Sequence, residues 1–301
     1  MIQYKINDFQ IFEFSHENPK ALIFFAHANG VPSLTYTELF EKIVQKFPVK
    51  IVSYDTRGIG LTSAPPLFSA KTWGWKQLVD DHNFLFQEVQ KKNIGLDFIF
   101  AGHSLGAWLS LLSSTYTPVT KLLLFDPPIL KPFTYFAWFF INIFGKQHLN
   151  PQSKKVKKRK ITFPNILAAK ESFKKSSFMK NWSDNTIQKY IESSFKSENV
   201  NSPITLRHSP DWEAHMFEQY PPTPWHGFLR IRRIIRRGIT PIFFVGEKSD
   251  TCDPKAHTLV KLLLPNLSWV ILPDAAHMFP IEQPDLVIKS IEPFLEKFLC
   301  L

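Results

Sequence analysis

Gly102-His103-Ser104-Leu105-Gly106 is the stretch best equipped for chemistry. It follows the apolar run Phe98-Ile99-Phe100-Ala101 and opens a second apolar segment, Ala107 to Leu112. The pattern predicts a strand, a sharp turn and a helix, with a serine at the apex. Such a turn strains the serine backbone and pushes its hydroxyl out over the sheet edge. Neighbouring chain must pass close by, and the small residues two before and two after the serine allow it. Ser104 is the candidate nucleophile.

A serine hydroxyl is a poor nucleophile until a base takes its proton, and the base needs an orienting acid. With this kind of turn the three follow in the chain order Ser, Asp or Glu, His. Downstream, Pro241-Ile242-Phe243-Phe244-Val245-Gly246 reads as a buried strand, and Glu247-Lys248-Ser249-Asp250 as the loop leaving it. Ser268-Trp269-Val270-Ile271-Leu272 leads in the same way to Ala275-Ala276-His277. Ser104, Asp250 and His277 thus stand in order, each in a loop after a predicted strand. The N–H of Leu105, at the positive end of the following helix, suits a developing oxyanion.

With His27-Ala28-Asn29-Gly30 and Asp55-Thr56-Arg57-Gly58-Ile59-Gly60, each after a buried strand, these motifs resemble the α/β-hydrolase superfamily. Ala276-His277-Met278 with Glu282-Gln283-Pro284 extends the resemblance over nearly the whole chain. The family usually has His-Gly where this chain has His27-Ala28. The resemblance implies that the backbone N–H of Asn29 joins that of Leu105 in the oxyanion hole. It also leaves alternatives to the preferred acid Asp250. Some relatives carry it where Asp126 stands, and Asp253 is a third candidate. Relatives that open epoxides or cleave carbon–halogen bonds have aspartate at the apex, so Ser104 implies attack on a carbonyl. Carboxylic esters with an apolar acyl or aryl group are the leading substrates. Thioesters and carbon–carbon bonds are alternatives for the same triad, and a non-catalytic ligand-binding protein is the alternative of another class. His27, Asp55 and Arg57 read as braces of their loops.

The elements that must hold these residues are legible on both sides of a long middle segment. Strands are expected near 2–6, 9–14, 21–26, 49–53, 97–102, 121–125, 240–245 and 268–272. Helices are expected near 34–46, 76–92, 105–115, 256–263 and 284–299. That alternation implies an α/β fold with a largely parallel sheet covered on both faces and a site beyond the carboxyl ends of its strands. Between them, 127–238 shows no clear rhythm and reads as a mainly helical cap inserted into a core of 1–126 and 239–301. It holds 20 Lys plus Arg against 7 Asp plus Glu, while the core holds 16 against 19. The basicity belongs to the insertion.

Within it, Phe133 to Phe144 is a dense aromatic run, too short at 12 residues to span a bilayer, which takes about 20. Phe136 and Phe140, with His103 from the turn, are the candidates for lining a substrate pocket. Lys154 to Lys160 looks like a solvated loop. In Arg230 to Arg237 the isoleucines sit at helical spacing, an apolar stripe among arginines. This composition suggests peripheral contact with an anionic membrane surface rather than nucleic acid, for which no motif is present. No P-loop, HExxH or paired CxxC occurs, so neither metal nor cofactor is expected. Two cysteines, Cys252 and Cys300, exclude a disulfide framework, and the first residues lack the pattern of a signal peptide. The expected location is cytoplasmic.

Overall fold

Ala21-Leu22-Ile23-Phe24-Phe25-Ala26 is apolar at every position because, as a central strand, it is covered on both faces. A computed structural model of the chain describes residues 1–68, 74–117, 119–129, 137, 140–141, 143–197, 202–219, 232–252, 260 and 267–300. The first half supplies β1 (Ile2–Ile6), β2 (Phe9–Ser15), β3 (Ala21–Ala26), β4 (Val49–Tyr54), β5 (Asp97–His103) and β6 (Lys121–Phe125). Helices α1 (Thr37–Lys46), α2 (Gly74–Lys91) and α3 (Leu105–Ser113) lie between them, α1 preceded by a 3₁₀ turn at Ser33–Tyr36.

The segment between β6 and the next long strand carries α4 (Pro151–Lys157), α5 (Ile166–Lys174), α6 (Asp184–Ser194) and α7 (Pro210–Glu218). It also carries β7 (Thr162–Phe163), β8 (Phe195–Lys196) and β9 (Ile204–Leu206), a small antiparallel sheet in the order β7-β9-β8. The chain then returns through β10 (Thr240–Gly246) and β11 (Ser268–Leu272) to α8 (Pro284–Leu299). The main sheet runs β1-β2-β4-β3-β5-β6-β10-β11, antiparallel only where β2 meets β1 and β4. This is the α/β-hydrolase architecture, and all eight long strands lie within one residue of the sequence reading.

Register decides where the loops emerge. Ala26 is paired with Tyr54 on one side and Gly102 on the other. His103 is paired with Phe125, and Phe125 with Phe244. The residues after β3, β4, β5 and β6 therefore leave along one edge of the sheet, the edge at which such folds bind ligands.

The core lies on both faces. Phe25, Phe40, Phe125, Ile291 and Leu295 pack on the side of α1 and α8, and Phe24, Phe86, Phe100 and Leu109 on that of α2 and α3. The insertion joins both layers, Trp182 and Tyr190 the first, Trp212 and Met216 the second. The basic stretch Lys154–Lys160 is not a loop. Its first residues form the last turn of α4, capped at its start by Asn150, and Arg159 turns inward. In the second basic stretch Ile234 is buried while Arg232, Arg233, Arg236 and Arg237 are exposed, the arrangement the spacing implies. Among the described residues no helix is long and apolar enough to cross a membrane. The aromatic run 133–144 and the helix expected at 256–263 lie largely outside the described residues.

Candidate active site

Ser104 stands between β5 and α3 with φ 55° and ψ −117°, a left-handed backbone that a residue with a side chain adopts only under constraint. The constraint is local packing. A methyl group on Gly106 would come within 2.0 Å of the Ala26 carbonyl oxygen, and one on Gly102 within 2.3 Å of the Gly106 backbone. Only glycine lets the turn nest this tightly against β3. The Ser104 N–H donates to the Phe125 carbonyl at 2.9 Å, tying the turn to the end of β6. Leu105 opens α3, so its N–H is among those the helix leaves without an internal acceptor.

The next residue beyond β6 is Asp126, also left-handed at φ 45° and wholly buried. Its Oδ2 accepts a hydrogen bond from His277 Nδ1 at 2.6 Å and another from the Ser249 hydroxyl. Its Oδ1 accepts from the Gly246 N–H at 3.0 Å. The carboxylate is thus held by three donors, and it holds the imidazole in the tautomer that leaves Nε2 free to accept a proton.

Asp250, the preferred acid on sequence grounds, is exposed, and its Oδ1 accepts from the Thr251 hydroxyl at 3.2 Å. The acid that meets His277 is Asp126. Asp126 directly ends β6 and is wholly buried, whereas Asp250 sits four residues past the end of β10 and faces solvent. Asp253 lies outside the described residues. Ser249, one residue before Asp250, is the part of that loop turned inward. Its oxygen accepts the N–H groups of Thr251 and Cys252 at 3.1 and 3.0 Å, which aims its proton at Asp126. No sequence motif marked Ser249. For Asp126 the signal was there, an acid directly ending the buried run Leu122-Leu123-Leu124-Phe125.

His103 is enclosed by protein. It is fully buried, and both ring nitrogens are occupied. Nε2 donates to the His277 carbonyl at 2.9 Å, and Nδ1 accepts from the Tyr36 hydroxyl at 2.7 Å. Tyr36 Oη in turn accepts the Ala28 N–H at 3.2 Å. A chain of hydrogen bonds therefore joins the loop after β3 to the backbone of His277, and it requires a neutral His103. Burial and the proximity of His277 both push its pKa well below the usual value.

His27 braces its loop. Nδ1 donates to the Ala28 carbonyl at 2.7 Å and Nε2 accepts the Thr56 N–H at 3.0 Å, while burial lowers its pKa to about 4. Asp55 accepts the N–H groups of Ser33 and Leu61, and Arg57 grips Asp81 through two hydrogen bonds. Asn29 follows Ala28, and its side-chain amide donates to the Glu213 carbonyl of α7 at 3.0 Å. Phe136 lies outside the described residues, and Phe140 is 40% exposed. A small cavity beside Gly30 is lined by Gly60, Tyr190, His208 and Glu213, and by neither Phe140 nor Ser104. Among the described residues no cluster of three His, Cys, Asp or Glu could hold a metal ion.

Known proteins share this frame. The model of the alpha/beta hydrolase family matches residues 23–290. A monoglyceride lipase homolog of monkeypox virus is 29% identical over 118 residues, 36% of this chain and 39% of that protein. The match therefore spans well under half of the viral protein. Among solved structures, E-2-(acetamidomethylene)succinate hydrolase superposes with TM-score 0.73 at 18% identity, covering 98% of this chain and 99% of the other. The thioesterase domain from the curacin biosynthetic pathway superposes with TM-score 0.71 at 12% identity, covering 97% and 98%. With the family model spanning most of its length, the chain belongs to the alpha/beta hydrolase family.

Proposed function

We propose that this hydrolase cleaves carboxylic esters through Ser104, His277 and Asp126. The observation that carries the reading is a strained, left-handed Ser104 together with the hydrogen bond from His277 to Asp126, the buried residue just past the adjoining strand. In the proposed reaction Ser104 Oγ attacks the ester carbonyl while His277 Nε2 takes its proton. The oxyanion is met by the N–H groups of Leu105 and Asn29, and losing one such donor costs about 3 kcal/mol of transition-state stabilisation. His277 returns the proton to the departing alkoxide, leaving an acyl-enzyme that water cleaves by the same steps. Asp126 keeps the imidazole oriented and stabilises its charged form.

The substrate proposed is an ester with an apolar acyl group. The aromatic composition of 133–144 and the partial likeness to a monoglyceride lipase homolog support it. The segment 127–238 acts in this reading as a cap over the site. The test is kcat/KM over p-nitrophenyl esters from acetate to palmitate, with Ser104→Ala alongside. A Ser104-dependent rate peaking at medium or long chains is the expected result. No Ser104-dependent rate on any of them would reject the ester reading.

The insertion is also proposed to touch anionic membrane surfaces. Exposed Ile143 and Phe144 precede a row of exposed lysines at 154, 155, 157 and 158, a combination of apolar and basic groups suited to a lipid interface. Flotation with phosphatidylserine vesicles at low and physiological salt tests this, and failure to bind at both would refute it.

A further inference from the structure

We infer that α7 is latched onto the loop after β3, and that Glu213, Arg159 and the Asn29 side chain are positioning residues for the Asn29 N–H. The inference rests, for its catalytic part, on the proposed role of that N–H in the oxyanion hole.

Two fastenings fall on two consecutive residues. The Asn29 amide group donates to the Glu213 carbonyl at 3.0 Å. The Glu213 carboxylate lies directly over Gly30, where a methyl group would fall 2.3 Å from its carboxyl carbon. Gly30 has φ +71°, so the loop bends there as glycine alone does comfortably, and the vacant side of that bend is filled by the acid.

The carboxylate is itself held. Arg159, beyond α4, bonds it with one guanidinium nitrogen and the Tyr190 hydroxyl of α6 with another. The side chains of Arg159 and Glu213 are only 21% and 13% exposed. An ion pair withdrawn from water contributes little net stability, because desolvation offsets the attraction, but it demands one geometry. Three separate parts of the insertion thus converge on Asn29-Gly30.

The residue before Glu213 grips a second loop. Trp212 Nε1 donates to the Arg57 carbonyl at 2.7 Å, fixing α7 to the loop after β4. One turn of α7 therefore holds both strand-exit loops at once. Movement of α7 carries Asn29 with it, so the oxyanion donor is set by insertion residues as well as by the sheet.

Hydrogen-exchange mass spectrometry on the full chain and its Glu213→Gln, Arg159→Met and Asn29→Ala variants tests the latch without requiring turnover. Peptides spanning 27–34 are expected to exchange at least about 10-fold faster in each variant, and peptides from 284–299 at the unaltered rate, as for a local opening. In the active protein, kcat is expected to fall about 10- to 100-fold with KM changed less than about 2-fold, the signature of a displaced catalytic group. Affinity for an aryl trifluoromethyl ketone, whose adduct carries the oxyanion, should fall by the same factor as kcat/KM. Asn29→Ala leaves the ion pair in place and guards against a variant that fails to fold. Unchanged exchange at 27–34 in variants that melt near wild type would overturn the latch. Faster exchange with unchanged kcat and inhibitor affinity would overturn its positioning role. Absence of Ser104-dependent turnover in the wild type would instead reject the hydrolase reading, with the exchange data still deciding the latch.

Discussion

At the scale of single residues, the site divides its work between groups that meet the substrate in the proposed reaction and groups that aim them. Ser104→Ala is expected to lower kcat/KM by about 10³-fold or more, and Asp126→Asn by about 10³- to 10⁴-fold through the wrong imidazole tautomer. Asp250→Asn is expected to stay within about 2-fold, since an exposed carboxylate bonded to Thr251 has no hold on the imidazole. Steady-state kinetics on one ester checks all three, and equal losses at Asp126 and Asp250 would contradict the hydrogen bonding described. Ser104 and His277 were legible as candidates because each sits beyond a strand whose apolar run is plain. The choice between Asp126 and Asp250 was not, because both follow apolar strands and only the folded loops show which carboxylate turns inward onto His277.

At the scale of elements, the core and the insertion are stabilised by different means, and this explains what the sequence disclosed. The core strands are long apolar runs, and α1, α3 and α8 begin without a side-chain cap bond, held instead by packing on the sheet. In the insertion α4, α5, α6 and α7 each start on a side-chain cap: Asn150 for α4, Asn165 for α5, Ser183 for α6 and Ser209 for α7. Helices of 7 to 11 residues give periodicity little room to show, so 127–238 looked featureless. The capping residues were nonetheless there to be read, Ser209-Pro210-Asp211 most clearly. Ser183→Ala, which removes the bond to the Thr186 N–H at 3.1 Å, is expected to cost about 1 kcal/mol in urea unfolding. Gly106→Ala is expected to cost more, at least about 1–3 kcal/mol, because its methyl would strike the backbone of β3 and not a movable side chain. Equal losses from the two variants would refute the claim that the turn nests on β3.

At the scale of the whole molecule, buried histidines contribute to the response to acid. His82, in an aromatic box of Phe24, Phe100 and Tyr54, shares a hydrogen bond of 2.8 Å between its Nδ1 and the Tyr54 hydroxyl. Burial lowers its pKa from 6.5 to about 3 and that of His27 to about 4. A lowered folded-state pKa means that the stability is whole above pH 6.5 and is lost as the pH falls toward 3, where the unfolded chain alone takes up the proton. Asp55 acts in the opposite sense, since burial raises its pKa from 3.8 to about 6 and acid relieves that cost between those values. His82→Phe removes one of these groups. Its Tm should vary less steeply than wild type between pH 6.5 and 4, by up to about 1.4 kcal/mol of stability per pH unit. A parallel pH dependence in the two proteins would show that His82 is not held neutral. The left-handed backbone at Asp126 has a consequence for protein engineering. The residue that hydrogen-bonds the imidazole also directly follows β6, so its backbone helps set the direction in which the chain departs toward the insertion. A chimera that exchanges this segment for that of a relative must be spliced no earlier than after Asp126, because a junction before it would replace that carboxylate along with the graft.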